Sequence, residues 1–102
     1  MINTITLNPS IDKYIGVQRL VKDDTMRATA LHQDPGGKGI NVSRVLKELG
    51  GETTAYGFIG GGPGKMLLDY MAERGIPFEH TEISGETRIN VIISDASDGS
   101  QT

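Results

Sequence analysis

The run Asp34-Pro35-Gly36-Gly37-Lys38-Gly39-Ile40-Asn41 is followed at once by apolar residues at Val42, Val45, Leu46 and Leu49. A glycine-rich turn thus feeds a helix start, where the first N–H groups lack internal partners and carry the positive end of the helix dipole. Gly36, Gly37 and Gly39 let the oxygens of a ligand approach the backbone, and Lys38 adds a cation. Asn41, one turn into the helix, offers an amide that both donates to and accepts from hydroxyls. The same glycines also serve any tight strand-to-helix connection, so the spacing alone leaves a polar small-molecule site and a structural turn both open. Neither common nucleotide loop is present. Counting back from Gly37-Lys38 for a Walker A glycine lands on His32, Gly64-Lys65 is preceded by Ile59 and followed by Met66 where that loop needs Gly and Ser/Thr, and no Gly-x-Gly-x-x-Gly run opens a helix.

Three further residues carry suitable chemistry. Asp12 follows the run Ile2 to Leu7 and the stop Asn8-Pro9-Ser10, and a carboxylate just past a parallel strand sits where open α/β sheets bind ligands. An Asp in that setting also commonly bonds the backbone of its own turn. Arg88 and Asn90 share one face of an extended segment, and a guanidinium there could fork onto a phosphate or simply face solvent.

The elements that must position these residues are legible from periodicity. Ile2 to Leu7 alternates as a strand, and Lys13 to Val17 and Thr25 to Gln33 form a hairpin across Arg19 to Asp24. The mixed faces of that hairpin suggest a lid lying over something rather than a core element. Ile40 to Leu49 is expected to be a helix burying Val42, Val45, Leu46 and Leu49, ended by Gly50-Gly51. A strand over Thr53 to Ile59 leads through Gly60 to Gly64 into a second helix with Met66, Leu67, Tyr70 and Met71 inward, closed by Arg74-Gly75. Phe78 to Ile83 and Thr87 to Ser94 are two more strands, and Asp95 to Ser100 is a hairpin turn. Strands alternating with helices imply parallel βαβ units.

Composition narrows the classes. With 102 residues the chain is at most one domain, and 36% hydrophobic residues with 14 glycines leave a thin core. A net charge of −3 without a basic stripe argues against nucleic acid and against an anionic membrane surface. There are no cysteines, His32 and His80 stand apart, and no leader or long apolar run is seen, so a cytoplasmic protein without a metal cluster is expected.

Read together, Thr6-Leu7-Asn8-Pro9-Ser10-Ile11-Asp12, Pro35 through Gly51 and Thr87-Arg88-Ile89-Asn90-Val91 resemble the phosphofructokinase B family of ribokinase-like sugar kinases. The resemblance is nearest to its branch of 1-phosphofructokinases, tagatose-6-phosphate kinases and minor 6-phosphofructokinases. It implies a doubly wound, mostly parallel α/β sheet with a small β-sheet lid, the lid strands at about 13–33 and 87–102 and the α/β core at 1–10 and 36–83. It further implies phosphorylation of a sugar phosphate by ATP with Mg2+, fructose 1-phosphate first and fructose 6-phosphate or tagatose 6-phosphate as alternatives, and a homodimer paired through the lid. On matching positions Asp12 holds sugar hydroxyls, Gly36, Gly37 and Asn41 line the pocket, Lys38 lies near the substrate, and Arg88 with Asn90 meets the substrate's own phosphate. The family's Gly-Ala-Gly-Asp motif, with the catalytic base and the nucleotide site, is absent from this sequence. The expectation is therefore the N-terminal, substrate-side portion of a kinase, inactive by itself, with a non-catalytic sugar-phosphate-binding module or an inert fragment as rival readings.

Overall fold

The computed structural model describes residues 1–22 and 27–102. Eight elements follow in order: strands β1 (Ile2–Thr6), β2 (Ser10–Val17) and β3 (Ala28–Gly36), helix α1 (Lys38–Glu48), strand β4 (Thr53–Ile59), helix α2 (Gly61–Glu73), and strands β5 (Phe78–Glu82) and β6 (Arg88–Asp95). They make two three-stranded sheets. One, ordered β1-β4-β5, is wholly parallel, and in the other, ordered β3-β2-β6, β2 runs antiparallel to β3 and parallel to β6. The β2–β3 hairpin is therefore inserted into the crossover that carries the chain from β1 through α1 to β4.

Both helices cover the same face of the parallel sheet. Strand alternation sends Thr53, Ala55 and Ile59 to one side, where α1 bonds Thr53 through Ser43 and α2 packs Leu67 and Met71 with Ala55, Ile59, Ile40 and Ile76. Tyr56 and Phe58 face the other way beside Ile5, which is 71% exposed. Parallel sheets bury both faces, so the described residues supply one of the two layers of a doubly wound sheet. Ile11 of β2 is fully buried in the same cluster. Its burial contributes about 1.5–3 kcal/mol and ties the second sheet to the first, so the hairpin is anchored in the core at one end while Ala28 to His32 stay exposed.

Several sequence expectations are corrected. The apolar stripe expected to be buried on α1 largely is not: Val42, Val45 and Leu49 are exposed and Leu46 is half-buried, while the buried positions are Ile40 and Ser43. Ser43 is tolerated inside because its hydroxyl lies 2.7 Å from that of Thr4 and 2.8 Å from that of Thr53, which satisfies all three. In α2, Met66 points outward and Gly64 takes an inward position with Leu67 and Met71. Asp12 lies inside β2 rather than past the end of β1, because extended structure resumes at Ser10. β3 runs on through Pro35 and Gly36, so the glycine turn shrinks to Gly37 alone before α1 begins. The expected strand positions Thr25 and Met26, and Asp23 and Asp24 of the connection, lie outside the described residues.

Candidate functional site

The register of the β3-β2-β6 sheet builds the site. Gly36, Ser10 and Arg88 align in one row across the three strands, and Asp34, Asp12 and Asn90 align in the next. Positions two apart share a face, so the two rows lie side by side on one surface. Within it the Asp12 carboxylate is half-buried and accepts two hydrogen bonds on Oδ1, from Ser10 Oγ at 2.8 Å and from Asn90 Nδ2 at 3.0 Å. Gly36 provides the room it occupies, since a Cβ at that position would overlap all three atoms of the carboxylate group.

The chain turns into α1 at Gly37, whose φ of 117° belongs to glycine and whose absent side chain leaves space for Thr6 Cγ2. Among the described residues no side chain caps α1, and no acidic residue occupies its first turn, so its leading N–H groups are open to solvent or a ligand. The first helical bond runs from Asn41 N to Gly37 O at 2.8 Å. Lys38 and Asn41 are both exposed on that turn. Arg88 is also exposed, and its Nη2 donates to the Asn8 carbonyl at 3.3 Å. Of the seven residues that the resemblance places at the site, Asp12 is thus within reach of both Gly36 and Asn90 on its two neighbouring strands, Arg88 stands in the row of Gly36 and Ser10, and Gly37, Lys38 and Asn41 form the helix start that follows Gly36.

A second polar cluster, which sequence reasoning misses, clamps this corner. Asp34, with a side chain 13% exposed, receives Arg74 Nη2 at 2.5 Å and lies 3.5 Å from Arg44 Nη2 and 2.7 Å from His32 Nε2. Arg44 also donates to the Pro35 carbonyl at 3.2 Å, and Tyr70 OH donates to Gln33 Oε1 at 3.2 Å. Residues from α1 and α2 thereby hold the last stretch of β3 just before the glycines. Ser10 likewise reads from the sequence only as a turn residue. Its one signal is its spacing of two from Asp12, which puts both on one strand face.

At the far end of β6, Asp95 is held below its ordinary value of 3.8 first by the hydroxyl of Ser97, which donates at 2.6 Å, and then by the N–H groups of Leu20 and Ser97. Two clefts lie away from Asp12: one is lined by Gln18, Arg19, Arg27, Thr29 and Ser97, another by Gly60, Gly61, Lys65 and Glu82. The Asp12 cluster is an open sheet face. Among the described residues no three acidic or histidine side chains converge as a metal site, and no helix is long and apolar enough to cross a membrane.

Residues 5–102 match the family model described as pfkB family carbohydrate kinase. The chain is 41% identical over 91 residues to a 1-phosphofructokinase of Bacillus subtilis, covering 89% of this chain and 30% of that protein. It is 35% identical over 94 residues to a D-tagatose-1-phosphate kinase of Bacillus licheniformis, covering 92% and 31%. The crystal structure of phosphofructokinase-2 from Escherichia coli in complex with substrates and products superposes with a TM-score of 0.93 at 35% identity, covering 99% of this chain and 33% of that one. The chain therefore spans about a third of the length of the relatives it matches. With nearly all of its length inside that match, the chain belongs to the pfkB family of carbohydrate kinases.

Proposed function

We propose that the complete protein transfers a phosphoryl group from ATP to a hydroxyl of a sugar phosphate, fructose 1-phosphate first and fructose 6-phosphate or a tagatose phosphate next. This chain supplies the side that holds the sugar. The observation that supports the reading best is the pinned Asp12 carboxylate in the Gly36 recess, next to the uncapped start of α1. A fixed carboxylate accepts from sugar hydroxyls, the N–H groups and Lys38 of the helix start attract oxygens, and Asn41 donates to or accepts from a further hydroxyl. Arg88, on the same face, forks onto the phosphate the substrate already carries. In the family ATP donates the phosphoryl group and Mg2+ offsets its charge. No cluster of the described residues fits the metal, and neither group is given a partner among them.

The test is ADP formation by the complete protein from ATP, Mg2+ and each sugar phosphate in turn. Turnover is expected there and none from the 102-residue chain alone, because positioned nucleophile, base and charge-stabilising cradle are all required. Arg88→Ala should lose roughly 2–4 kcal/mol of substrate interaction, the scale of truncating one partner of a charge pair. Sugar-phosphate binding without ADP formation would replace this reading by a non-catalytic binding module, and neither would leave an inert fragment. Pairing of two copies through the β3-β2-β6 sheet is part of the same proposal, supported by Leu31, Ile89 and Val91, which are exposed on the face opposite Asp12. A complete protein that sediments as a monomer at micromolar concentration would remove that part.

A further inference from the structure

We infer that Ser10 and Asn90 are positioning residues whose shared task is to fix the plane of the Asp12 carboxylate for the sugar. The inference rests on the reading of Asp12 as the residue that holds sugar hydroxyls. A carboxylate on an open sheet face swings about two side-chain torsions, and each hydroxyl it accepts from then has to wait for one orientation among several. Here that freedom is removed on three sides. Ser10, two residues back on the same strand face and only 1% exposed, donates its hydroxyl to Oδ1. Asn90, level with Asp12 on the neighbouring strand, donates its amide to the same oxygen. Gly36, level with Ser10 on the other neighbouring strand, accommodates the group at the distance of a missing Cβ. Among the described residues no side-chain donor is bonded to Oδ2. One oxygen is thus consumed by the protein and the other is presented with its direction set.

The arrangement gives Asn90 an assignment different from a contact to the substrate's phosphate. Its amide is committed to a carboxylate that is 78 residues away in sequence. Ser10 has no comparable alternative, since burial hides it from any ligand. Both residues therefore act through Asp12, and that makes their effects separable from a general loss of structure. Interactions made alike with bound substrate and transition state appear in KM and leave kcat nearly unchanged.

The experiment is a set of double-mutant cycles on the complete protein, reading KM and kcat for the sugar phosphate, with equilibrium binding of fructose 1-phosphate and fructose 6-phosphate as the parallel readout and circular dichroism as the check on folding. Ser10→Ala and Asn90→Ala are each expected to raise KM about 3- to 30-fold, and Asp12→Ala at least as much. Added to Asp12→Ala, either change should have less than about a twofold further effect, because the group it positions is gone. Asn90→Asp keeps the shape but turns a donor into an acceptor against Oδ1, and it should be worse than Asn90→Ala. Multiplicative effects in the Asp12→Ala background, or Asn90→Asp no worse than Asn90→Ala, would overturn the inference while leaving Asp12 as the sugar-holding residue. An unchanged KM and unchanged binding in Asp12→Ala would instead overturn the functional reading, and this inference with it.

Discussion

Gly36→Ala sets a methyl group against the Asp12 carboxylate, and the structure lets its cost be worked out. The new Cβ would stand 2.6 Å from Asp12 Cγ and 2.7 Å from Oδ1, where ordinary van der Waals contact begins at 3.4 Å. Oδ2 is nearer still, so relief needs a shift of at least about 0.8 Å, enough to stretch the 2.8 Å Ser10 bond and the 3.0 Å Asn90 bond beyond hydrogen-bonding range. Backbone strain does not enter, because Gly36 is not among the glycines with positive φ. Hydrogen bonds to a charged group contribute about 1.5–3 kcal/mol each. Water replaces part of that at a half-exposed carboxylate, and a backbone shift of the overpacking kind offers a competing route at about 1–3 kcal/mol. The cheaper route sets the result, so Gly36→Ala should destabilise by about 1–3 kcal/mol. The assay is urea unfolding of Gly36→Ala, Asp12→Ala and the double variant. On top of Asp12→Ala the glycine change should cost less than about 0.5 kcal/mol, since the group it collides with has been removed. Equal costs in the two backgrounds, or a neutral Gly36→Ala alone, would refute the idea that this glycine exists to make room for the carboxylate.

Ser43→Ala severs both hydroxyl contacts that bridge α1 to the parallel sheet and leaves Thr4 and Thr53 buried without their partner. It should lose about 1–3 kcal/mol in urea unfolding, while Thr4→Val, Ser43→Ala and Thr53→Val together recover most of it; a triple variant as unstable as the single one would count against a hydroxyl chain. For Asp95 the native pKa is depressed below 3.8, chiefly by the Ser97 hydroxyl and then by the Leu20 N–H. Its contribution to stability is therefore complete above about pH 4 and disappears as pH falls through the depressed native value. Thermal melts from about pH 7 to about pH 2 should show a smaller acid-side loss in Asp95→Asn than in the parent, and parallel curves would contradict the assignment.

Much of this protein is written locally. Glycines that end helices, β-branched runs that read as strands and a glycine turn that opens a helix are properties of a few consecutive residues, so the order of the elements is available from the chain alone. The three motifs around Asp12, Gly36 and Arg88 are equally available, and their order along the chain carries the family. Which face of a helix is covered is not. On α1 the apolar residues Val42, Val45 and Leu49 form a regular stripe, yet the sheet lies under Ile40 and Ser43, and only the placement of Thr4 and Thr53 shows why a serine belongs inside. A hydrophobic pattern reports that some surface needs covering, and it does not name the neighbour.

The site divides in the same way. Period two by itself puts Arg88 and Asn90 on one strand face, but it does not say which strand lies alongside or in what register. The pairing of Ser10 with Arg88, and of Asp12 with Asp34 and Asn90, is a long-range choice, and a slip of one residue would send every side chain to the opposite face. That choice converts Asn90 from a free amide into a partner of Asp12. It also gathers onto Asp34 both Arg44 of α1 and Arg74 of the turn that follows α2. The amino-acid sequence determines the residue types that do chemistry, while their distances are decided by strand register and by the buried contacts, Ile11 among them, that hold the second sheet against the first.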